Sequence, residues 1–192
     1  MTSNPESAAE GGFAAQQAND VSSGSTSDPR GHMHREKRQM PDDETRAFLR
    51  KQKVAHVGTV DPQGRPYVVP LIYIYEGGDR LYVHTGDHQG HFLRNVRANP
   101  QVCIQVEEMG PVHRGQPFAC NSALVYTSVV VFGPVRILDD RSLKTWFFDR
   151  VLEKYGEPDW TFVPGYPHLD RIILYEQQIE ILTGKHSEGL RH

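Results

Sequence analysis

The sequence predicts a mainly β protein with flanking helices, an α+β fold in which about six strands form a small antiparallel barrel. Three observations indicate this fold class. Six segments have the alternation, or the β-branched and aromatic content, of strands. Most neighbouring segments are joined by short turns of the hairpin type, so the strands run antiparallel. Within residues 122–138 the pair Gly133-Pro134 interrupts a long strand, where a barrel needs a bulge or a corner.

The overall composition is that of an ordinary globular chain, with 192 residues, a formal net charge of −3 and a mean hydropathy of −0.56. This charge provides no broad basic surface, so we expect no binding to nucleic acid or membrane. No apolar run approaches the roughly 18 residues that span a bilayer, and no secretory signal is evident. Cys103 and Cys120 form no paired motif, which favours a reducing, cytoplasmic location. The ten histidines are scattered without HExxH spacing, so we expect no metal site.

Two regions of the chain differ in composition. Residues 1–40 are dominated by Ser, Gly, Ala, Asn and Gln, which predicts a disordered N-terminal tail. A basic and histidine-rich patch at residues 32–38 indicates either a site for a metal or an acidic partner, or a solvated tail. We assign the folded domain to residues 41–192.

The folded domain begins with a helix near Asp42, whose carboxylate can cap a helix N-terminus. Strands follow at residues 54–60 and 65–75, joined by a turn that contains proline and glycine. The second strand contains Pro66 and Pro70, which have no N–H group to donate. We therefore expect this strand to be interrupted, or to border a ligand rather than lie in mid-sheet.

In residues 81–100 a strand leads through a glycine-containing turn into a helix. The first N–H groups of a helix have no partner within it, and the helix dipole favours negative charge there. Thr85, His88 and His91 would add side-chain donors around this point. The stretch therefore predicts either an anion-binding site or an ordinary strand–turn–helix connection.

The C-terminal half supplies the remaining elements. Residues 101–107 alternate as a fourth strand, on which Gln105 either hydrogen-bonds a ligand or faces water. A long strand at residues 122–138 is followed by a helix that starts at Asp139-Asp140. An aromatic- and proline-rich loop then leads to a last strand at residues 171–183.

Several short motifs follow one another in a fixed order over residues 41–186. They are Val57-Gly58-Thr59, Gly64-Arg65-Pro66-Tyr67-Val68-Val69-Pro70, Tyr82-Val83-His84-Thr85-Gly86, Gly90, Asn95, Asn99-Pro100-Gln101-Val102-Cys103, Tyr126-Thr127-Ser128-Val129-Val130-Val131-Phe132-Gly133 and Thr183-Gly184-Lys185. In this order the chain resembles the FMN-binding split barrels of the pyridoxamine 5'-phosphate oxidase-like group, nearest the nitroimidazole-resistance flavoprotein branch. The implied fold is a six-stranded antiparallel split β-barrel.

The resemblance implies a homodimer that holds FMN at the subunit interface, with the flavin ring beside one strand and the phosphate at the glycine turn. FMN phosphate carries about two negative charges and needs N–H donors and cations. The predicted cofactor-binding residues are Val68, Val69, Pro70, Leu71, His84, Thr85, Gly86, His88, Gly90, His91, Arg94, Gln105, Tyr126 and Ser128. Tyr126 and Ser128 either reach the cofactor from the partner subunit or support the site.

Two departures from the family pattern bear on function. His91 stands where the family often has lysine or arginine after the glycine turn, so we expect weaker FMN binding or compensation by Arg94. The chain also lacks the arginine-rich ending of a true pyridoxamine phosphate oxidase, which argues against a role in vitamin B6 synthesis.

The leading hypothesis is an FMN-dependent oxidoreductase, in which NAD(P)H or another reductant reduces the flavin and the flavin reduces a small-molecule substrate. His84 and Tyr126 are the candidate catalytic proton donors, or else they only pack. The alternatives are a flavin-binding module without turnover, a deazaflavin protein, and a haem-binding split barrel with His84, His168 or His186 as the axial ligand.

Overall fold

The structure, a computed structural model, describes residues 36–86 and 89–189. Within them lie three α-helices, α1 (Asp42–Lys51), α2 (His91–Ala98) and α3 (Arg141–Tyr155), and three 3-10 helices, Glu36–Arg38, Ala119–Asn121 and Leu169–Arg171. The seven strands are β1 (Val54–Val60), β2 (Pro66–Ile74), β3 (Arg80–Thr85), β4 (Gln101–His113), β5 (Ala123–Leu138), β6 (Ile173–Gln178) and β7 (Ile181–Glu188). None of the helices in this described part of the chain is long and apolar enough to cross a membrane.

The helices begin and end where local chemistry favours it. Asp140 caps α3, and its carboxylate accepts a hydrogen bond of 2.9 Å from the Leu143 N–H. α2 ends at Ala98 and Asn99 is its extended C-cap, because a residue that precedes proline avoids the α region. At α1 the N-cap is Pro41, and Asp42 is the first helical residue, where its negative charge suits the helix dipole.

The strands form one antiparallel sheet in the order β4-β1-β2-β3-β6-β5-β7, and pairing of β4 with β5 closes six of them into a ring. The predicted antiparallel split barrel with flanking helices is thus confirmed. The ring is not a regular barrel, because β2 pairs with β3 only at Tyr73 and Ile74. Beyond these pairs the two strands separate, and we call the opening between residues 66–72 of β2 and the end of β3 the gap.

The number of strands differs from the prediction of six. The predicted last strand, residues 171–183, is two strands, because the chain changes partners at Ile179 and Glu180. The Ile179 N–H donates to the Asp79 carbonyl (2.8 Å), and the Glu180 N–H donates to the Phe132 carbonyl (3.0 Å). As a result β6 pairs with β3 and the second half of β5, whereas β7 pairs with the first half of β5.

Gly133 forms the predicted corner in β5. Its φ is 156°, and an added Cβ would overlap the Gln178 carbonyl oxygen. Before this corner β5 pairs with β4 and β7, and after it β5 pairs with β6. Glycine at this position therefore lets one strand belong to two parts of the sheet.

The interior of the ring is an apolar core to which α1 and α2 contribute. Its buried residues include Leu49, Val57, Tyr73, Leu81, Val83, Phe92, Leu93, Val96, Ile104, Val106, Val129, Val131 and Tyr175. α1 lies near the Tyr73 end of β2, since the Tyr73 hydroxyl donates to the Leu49 carbonyl. A second apolar cluster lies on the outer side of the ring, where α3 packs Phe147 with Ile74, Leu138 and Leu174.

The remaining outer side of the ring is not buried by any helix of the described residues, and we call it the open face. It consists of the outward side chains of β1, β4, β7 and the first halves of β2 and β5, and apart from the buried Ser187 these side chains are exposed or half-buried. Its members include His56, Gly58, Val68, Pro70, Cys103, Gln105, Glu107, Ser128, Val130, Phe132, Ile181 and Thr183.

The first described residues already contact the barrel. The Met40 N–H donates to the Gly184 carbonyl (2.9 Å), and Gln39 forms an isolated bridge with Lys185. Ordered contacts therefore begin before Pro41, the predicted start of the folded domain. Residues 1–35 lie outside the described residues, so the disorder of that tail stays a prediction.

Replacing Gly133 with alanine tests the corner of β5. We expect G133A to lower the free energy of unfolding by about 2–4 kcal/mol, because the new Cβ would overlap the Gln178 backbone. Urea denaturation followed by circular dichroism measures the change. Gly86→Ala is the matched control, since nothing lies within 4 Å of its Cβ position. Equal unfolding midpoints for the two variants would contradict the role of the corner.

Candidate functional site

The turn between Thr85 and His91 leads from the end of β3, at the gap, into α2. Gly86 is an exposed bend in this turn. His88, a predicted cofactor ligand, lies outside the described residues. At the far end of the turn the His91 ring contacts the Tyr67 ring of β2 edge-on, with 5.6 Å between ring centroids. The turn and the start of β2 are therefore neighbours.

The N-terminus of α2 lies at this point. Gly90 is the N-cap, with extended backbone (φ −64°, ψ 157°), and no side chain among the described residues caps the helix. The first turn contains no acidic residue. Its N–H groups can therefore bind an anion, which the helix dipole also favours. His91 and Arg94 are exposed on this turn and can add cationic donors.

Thr85 points into the ring rather than toward the open face. Its hydroxyl lies 3.1 Å from the hydroxyl of Tyr175, a core residue. Burial raises the pKa of Tyr175, while the bond to Thr85 and the charge of Arg97 act against that rise. Arg97 thus places a further positive charge near Thr85. The sequence analysis missed it, although its spacing of three residues from Arg94 puts both on one side of α2.

The edge of β2 that faces the gap is unpaired over residues 66–72, whereas β1 pairs with the opposite edge. A proline nitrogen has no hydrogen, so Pro66 and Pro70 fit a strand where that nitrogen points away from the paired edge. Alternate residues of an antiparallel strand direct their backbone groups the same way. Val68 therefore directs its N–H and carbonyl into the gap, as expected for a strand that borders a ligand.

Four consecutive residues of β2 that the sequence predicts to bind the cofactor divide between two sides of the strand. Val68 and Pro70 are exposed on the open face, and Val68 is 61 % exposed. Val69 and Leu71 instead pack against the core. Because side chains alternate along a strand, four consecutive residues cannot share one face. Val68 and Pro70 can therefore form an apolar wall on the open face, whereas the cofactor-binding role of Val69 and Leu71, whose side chains face the core, stays a prediction.

Strand pairing arranges the open face in two rows. In one row Pro70 lies beside His56, His56 beside Gln105, Gln105 beside Val130, and Val130 beside Thr183. The neighbouring row, closer to α2, contains Val68, Gly58, Cys103, Phe132 and Ile181. Gly58 has no side chain, so a shallow groove runs between Val68 and Cys103. Gln105 is exposed on this surface, where it can contact a ligand.

His84, a predicted catalytic and cofactor-binding residue, lies on the opposite side of β3 from Thr85. Its ring packs against Phe147 and Phe148 of α3, with centroid distances of 5.2 and 5.3 Å. Its Nδ1 is buried without a hydrogen-bond partner in the described part of the chain. Burial lowers the pKa of His84, which favours the neutral ring. The structure thus separates His84 from Thr85, and strand alternation is the cause.

Tyr126 and Ser128 lie toward the opposite end of the open face. Tyr126 pairs with Met109 and Ser187, and Ser128 pairs with Glu107 and Lys185. Six residues of β5 separate Tyr126 from the row nearest α2, or about 20 Å of strand. The structure therefore does not bring Tyr126 together with the β3–α2 turn of the same chain.

A polar pair that the sequence analysis missed lies in the middle of the open face. His56 Nδ1 lies 3.3 Å from Glu107 Oε1, and the two side chains are 41 % and 26 % exposed. The alternation of Ala55, His56 and Val57 would have indicated an outward histidine. Its partner on β4 could not be identified without the strand register.

Comparison with known proteins places this geometry in a family. Residues 41–186 match the family model described as pyridoxamine 5'-phosphate oxidase. The haem oxygenase HutZ of Vibrio cholerae is 29 % identical over 139 residues, which cover 71 % of each protein. This match confirms the family that the order of motifs predicts.

Two solved structures show the same fold. A candidate 5-nitroimidazole antibiotic resistance protein from Bacteroides thetaiotaomicron is similar with a TM-score of 0.64 and 22 % identity, over 77 % of this chain and 85 % of that one. An FAD-binding protein from Mesorhizobium loti is similar with a TM-score of 0.56 and 28 % identity, over 79 % of this chain and 98 % of that one. The predicted neighbourhood of nitroimidazole-resistance proteins and flavin-binding split barrels is thus confirmed.

Replacing His84 with leucine tests whether the His84 ring is held neutral in the folded protein. Since burial lowers its pKa in the folded state, acidification protonates His84 in the unfolded chain first and so destabilises the fold. We expect wild-type protein to lose more stability than His84→Leu between about pH 7.5 and about pH 5.5, where histidine titrates. Urea midpoints at both pH values measure the difference. His113→Leu, at an exposed position, is the control. Parallel pH dependences of wild type and His84→Leu would contradict the prediction.

Proposed function

Because this chain belongs to the pyridoxamine 5'-phosphate oxidase family, we propose that it binds FMN at the gap and acts as an oxidoreductase on a small acceptor. The proposal rests on one observation: an unpaired strand edge and an uncapped helix N-terminus lie next to each other at the gap. The unpaired edge of β2 offers backbone groups, and the uncapped N-terminus of α2 lies beside that edge through the contact of His91 with Tyr67.

The β3–α2 turn suits the phosphate of FMN. A phosphate monoester carries about two negative charges at neutral pH and accepts several hydrogen bonds. The first N–H groups of α2, the guanidinium of Arg94 and the ring of His91 are donors in the first turn of α2, and this helical turn itself contains no acidic residue. One anion site of this kind matches the single phosphate of FMN, and Arg94 offsets the weaker charge of a histidine.

The neighbouring part of the open face suits the flavin ring, which is flat and apolar with a polar edge. Val68 and Pro70 offer an apolar wall, and the groove at Gly58 lets a flat group approach the sheet. The Val68 N–H and the Pro70 carbonyl can meet the polar edge of the ring. The similarity to an FAD-binding protein from Mesorhizobium loti, 28 % identical, supports a flavin as the ligand.

The flavin, when bound, would supply the hydride chemistry, with NAD(P)H or another reductant as its electron source. The contribution of the chain is to bind the phosphate, to hold the ring against β2 and to keep one face of the ring away from water. His84 is not retained as a proton donor, because its ring packs against α3. Tyr126 remains a candidate, but it would have to act from a second subunit.

A homodimer through the open face is the second part of the proposal. The face carries half-buried or exposed apolar side chains, among them Val68, Val130, Phe132 and Ile181, that no described helix buries. A second copy would cover them and gain hydrophobic free energy. Tyr126 and Ser128, which lie far from the turn of their own chain, would then be available to the site of the partner.

A haem-binding function is the second candidate, and the 29 % identity with HutZ favours it. Among the predicted axial ligands, His186 is best placed. Its Nδ1 lies 2.8 Å from the Thr127 hydroxyl, which would orient the ring, and it lines a cavity of about 390 Å³ together with Lys37 and Arg38. Those two cations suit the carboxylates of haem. His84 is enclosed by phenylalanines, and His168 is exposed in a loop.

The visible spectrum of the purified protein decides between these functions. We expect flavin absorption bands, release of FMN by mass on acid denaturation, and oxidation of NAD(P)H when an acceptor is present. A Soret band that disappears in His186→Ala would instead establish the haem function. Bound FMN without any NAD(P)H oxidation would leave a flavin-binding module without turnover. A colourless protein that does not bind added FMN or haem would contradict both candidates.

The phosphate site is tested by removing its two side-chain cations. We expect His91→Ala with Arg94→Ala to weaken FMN binding about tenfold or more, since two charge-assisted hydrogen bonds are lost. Riboflavin, which has no phosphate, should bind this variant and the wild type equally. Arg141→Ala, an exposed cation on α3, is the matched control. Fluorescence titration measures the affinities of the three proteins for both ligands, and an unchanged affinity of the double variant for FMN would rule out the phosphate assignment.

A further inference from the structure

The pair of His56 and Glu107 has no role in holding the phosphate or in the edge of β2. Glu107 Oε1 contacts His56 Nδ1, but Glu107 Oε2 is buried and has no hydrogen-bond partner among the described residues. Burying a carboxylate oxygen without a donor costs free energy. A pair that bears this cost in the middle of the open face, beside Pro70, Gln105 and Ser128, points to a function.

The contact with Glu107 determines which atom of His56 can meet a ligand. With Nδ1 directed at the carboxylate, Nε2 is the ring nitrogen that is left. A carboxylate on one nitrogen also fixes the orientation of the imidazole, as it does for the histidines of metal and catalytic sites. Since the His56 side chain is 41 % exposed, Nε2 can be reached from the open face.

The neighbours of His56 indicate what kind of ligand would meet Nε2. Pro70, part of the proposed ring wall, lies directly beside His56 in the register of β1 and β2, and Gln105 lies directly on its other side. The groove at Gly58 is two residues away on the same side of β1. A flat ring that packs on Val68 and Pro70 would therefore present one edge to His56 and Gln105.

We propose that His56, held in orientation by Glu107, hydrogen-bonds through Nε2 to the polar edge of the heteroaromatic ring that binds on the open face. Gln105 supplies a second polar contact to the same edge. His56 touches the ligand, and Glu107 is a positioning residue that acts through His56. This inference rests on the proposed function, because it takes the ring to be that of a flavin.

The experiment separates contacts with the ring from contacts with the phosphate by using FMN and riboflavin as two probes. Their affinities are measured by fluorescence titration for wild type, His56→Leu, His56→Gln, Glu107→Gln and the double variant of His56→Leu with Glu107→Gln. His113→Leu, an exposed histidine at the end of β4, is the matched control. Circular dichroism and sedimentation establish that each variant has the fold and the oligomeric state of the wild type.

We expect His56→Leu to weaken the binding of FMN and riboflavin by the same factor, about tenfold, because the lost hydrogen bond belongs to the ring. His56→Gln should recover most of this loss, since its amide can replace Nε2. Glu107→Gln should weaken binding about threefold in the wild-type background and not at all in the His56→Leu background.

Three results would overturn the inference. If His56→Leu binds riboflavin as tightly as the wild type does, the contact between His56 and the ring is excluded, while FMN binding itself stays established. An equal effect of Glu107→Gln in both backgrounds would exclude its action through His56. A wild-type protein that binds neither flavin would overturn both the inference and the proposed function.

Discussion

The close approach of Gly133 to the backbone that leads from β6 to β7 is the contact on which the rest of the structure depends. Because no Cβ intervenes, β5 can turn there and pair with β7 on one side of the corner and with β6 on the other. β6 is then inserted between β5 and β3, and β3 pairs with it over six residues. β3 keeps just two pairs with β2, so the gap is a consequence of the same corner.

The gap and the open face together determine which side chains can meet one ligand. α3 covers the outer side of β3 and half-buries His84, whereas β1, β4 and the start of β2 stay uncovered. A single outer surface is thus divided into a half that α3 covers and a half that stays open. His56 lies in the open half, beside Pro70 and Gln105, and His84 lies in the covered half.

Much of this fold could be predicted from the sequence, because glycine and proline residues mark several of its strand corners and strand edges locally. Gly133-Pro134 marked the corner, and Pro66 and Pro70 marked a strand that does not lie in mid-sheet. The break between β6 and β7 was missed because no glycine or proline stands at Ile179 and Glu180. The break depends instead on hydrogen bonds from their N–H groups to residues far along the chain. Likewise, the alternation of His84 and Thr85 was visible, but which side α3 would cover was not, because that depends on packing between distant elements.

The two prolines of β2 have an effect beyond their lack of donors. An unpaired strand edge is a template on which another polypeptide can add a strand, and such edges lead to aggregation unless they are protected. Pro66 and Pro70 interrupt the donor pattern of the exposed edge of β2, so an incoming strand would find every second donor missing around Val68. The opening in the barrel therefore disfavours the addition of a peptide strand while it stays accessible to a small, flat molecule.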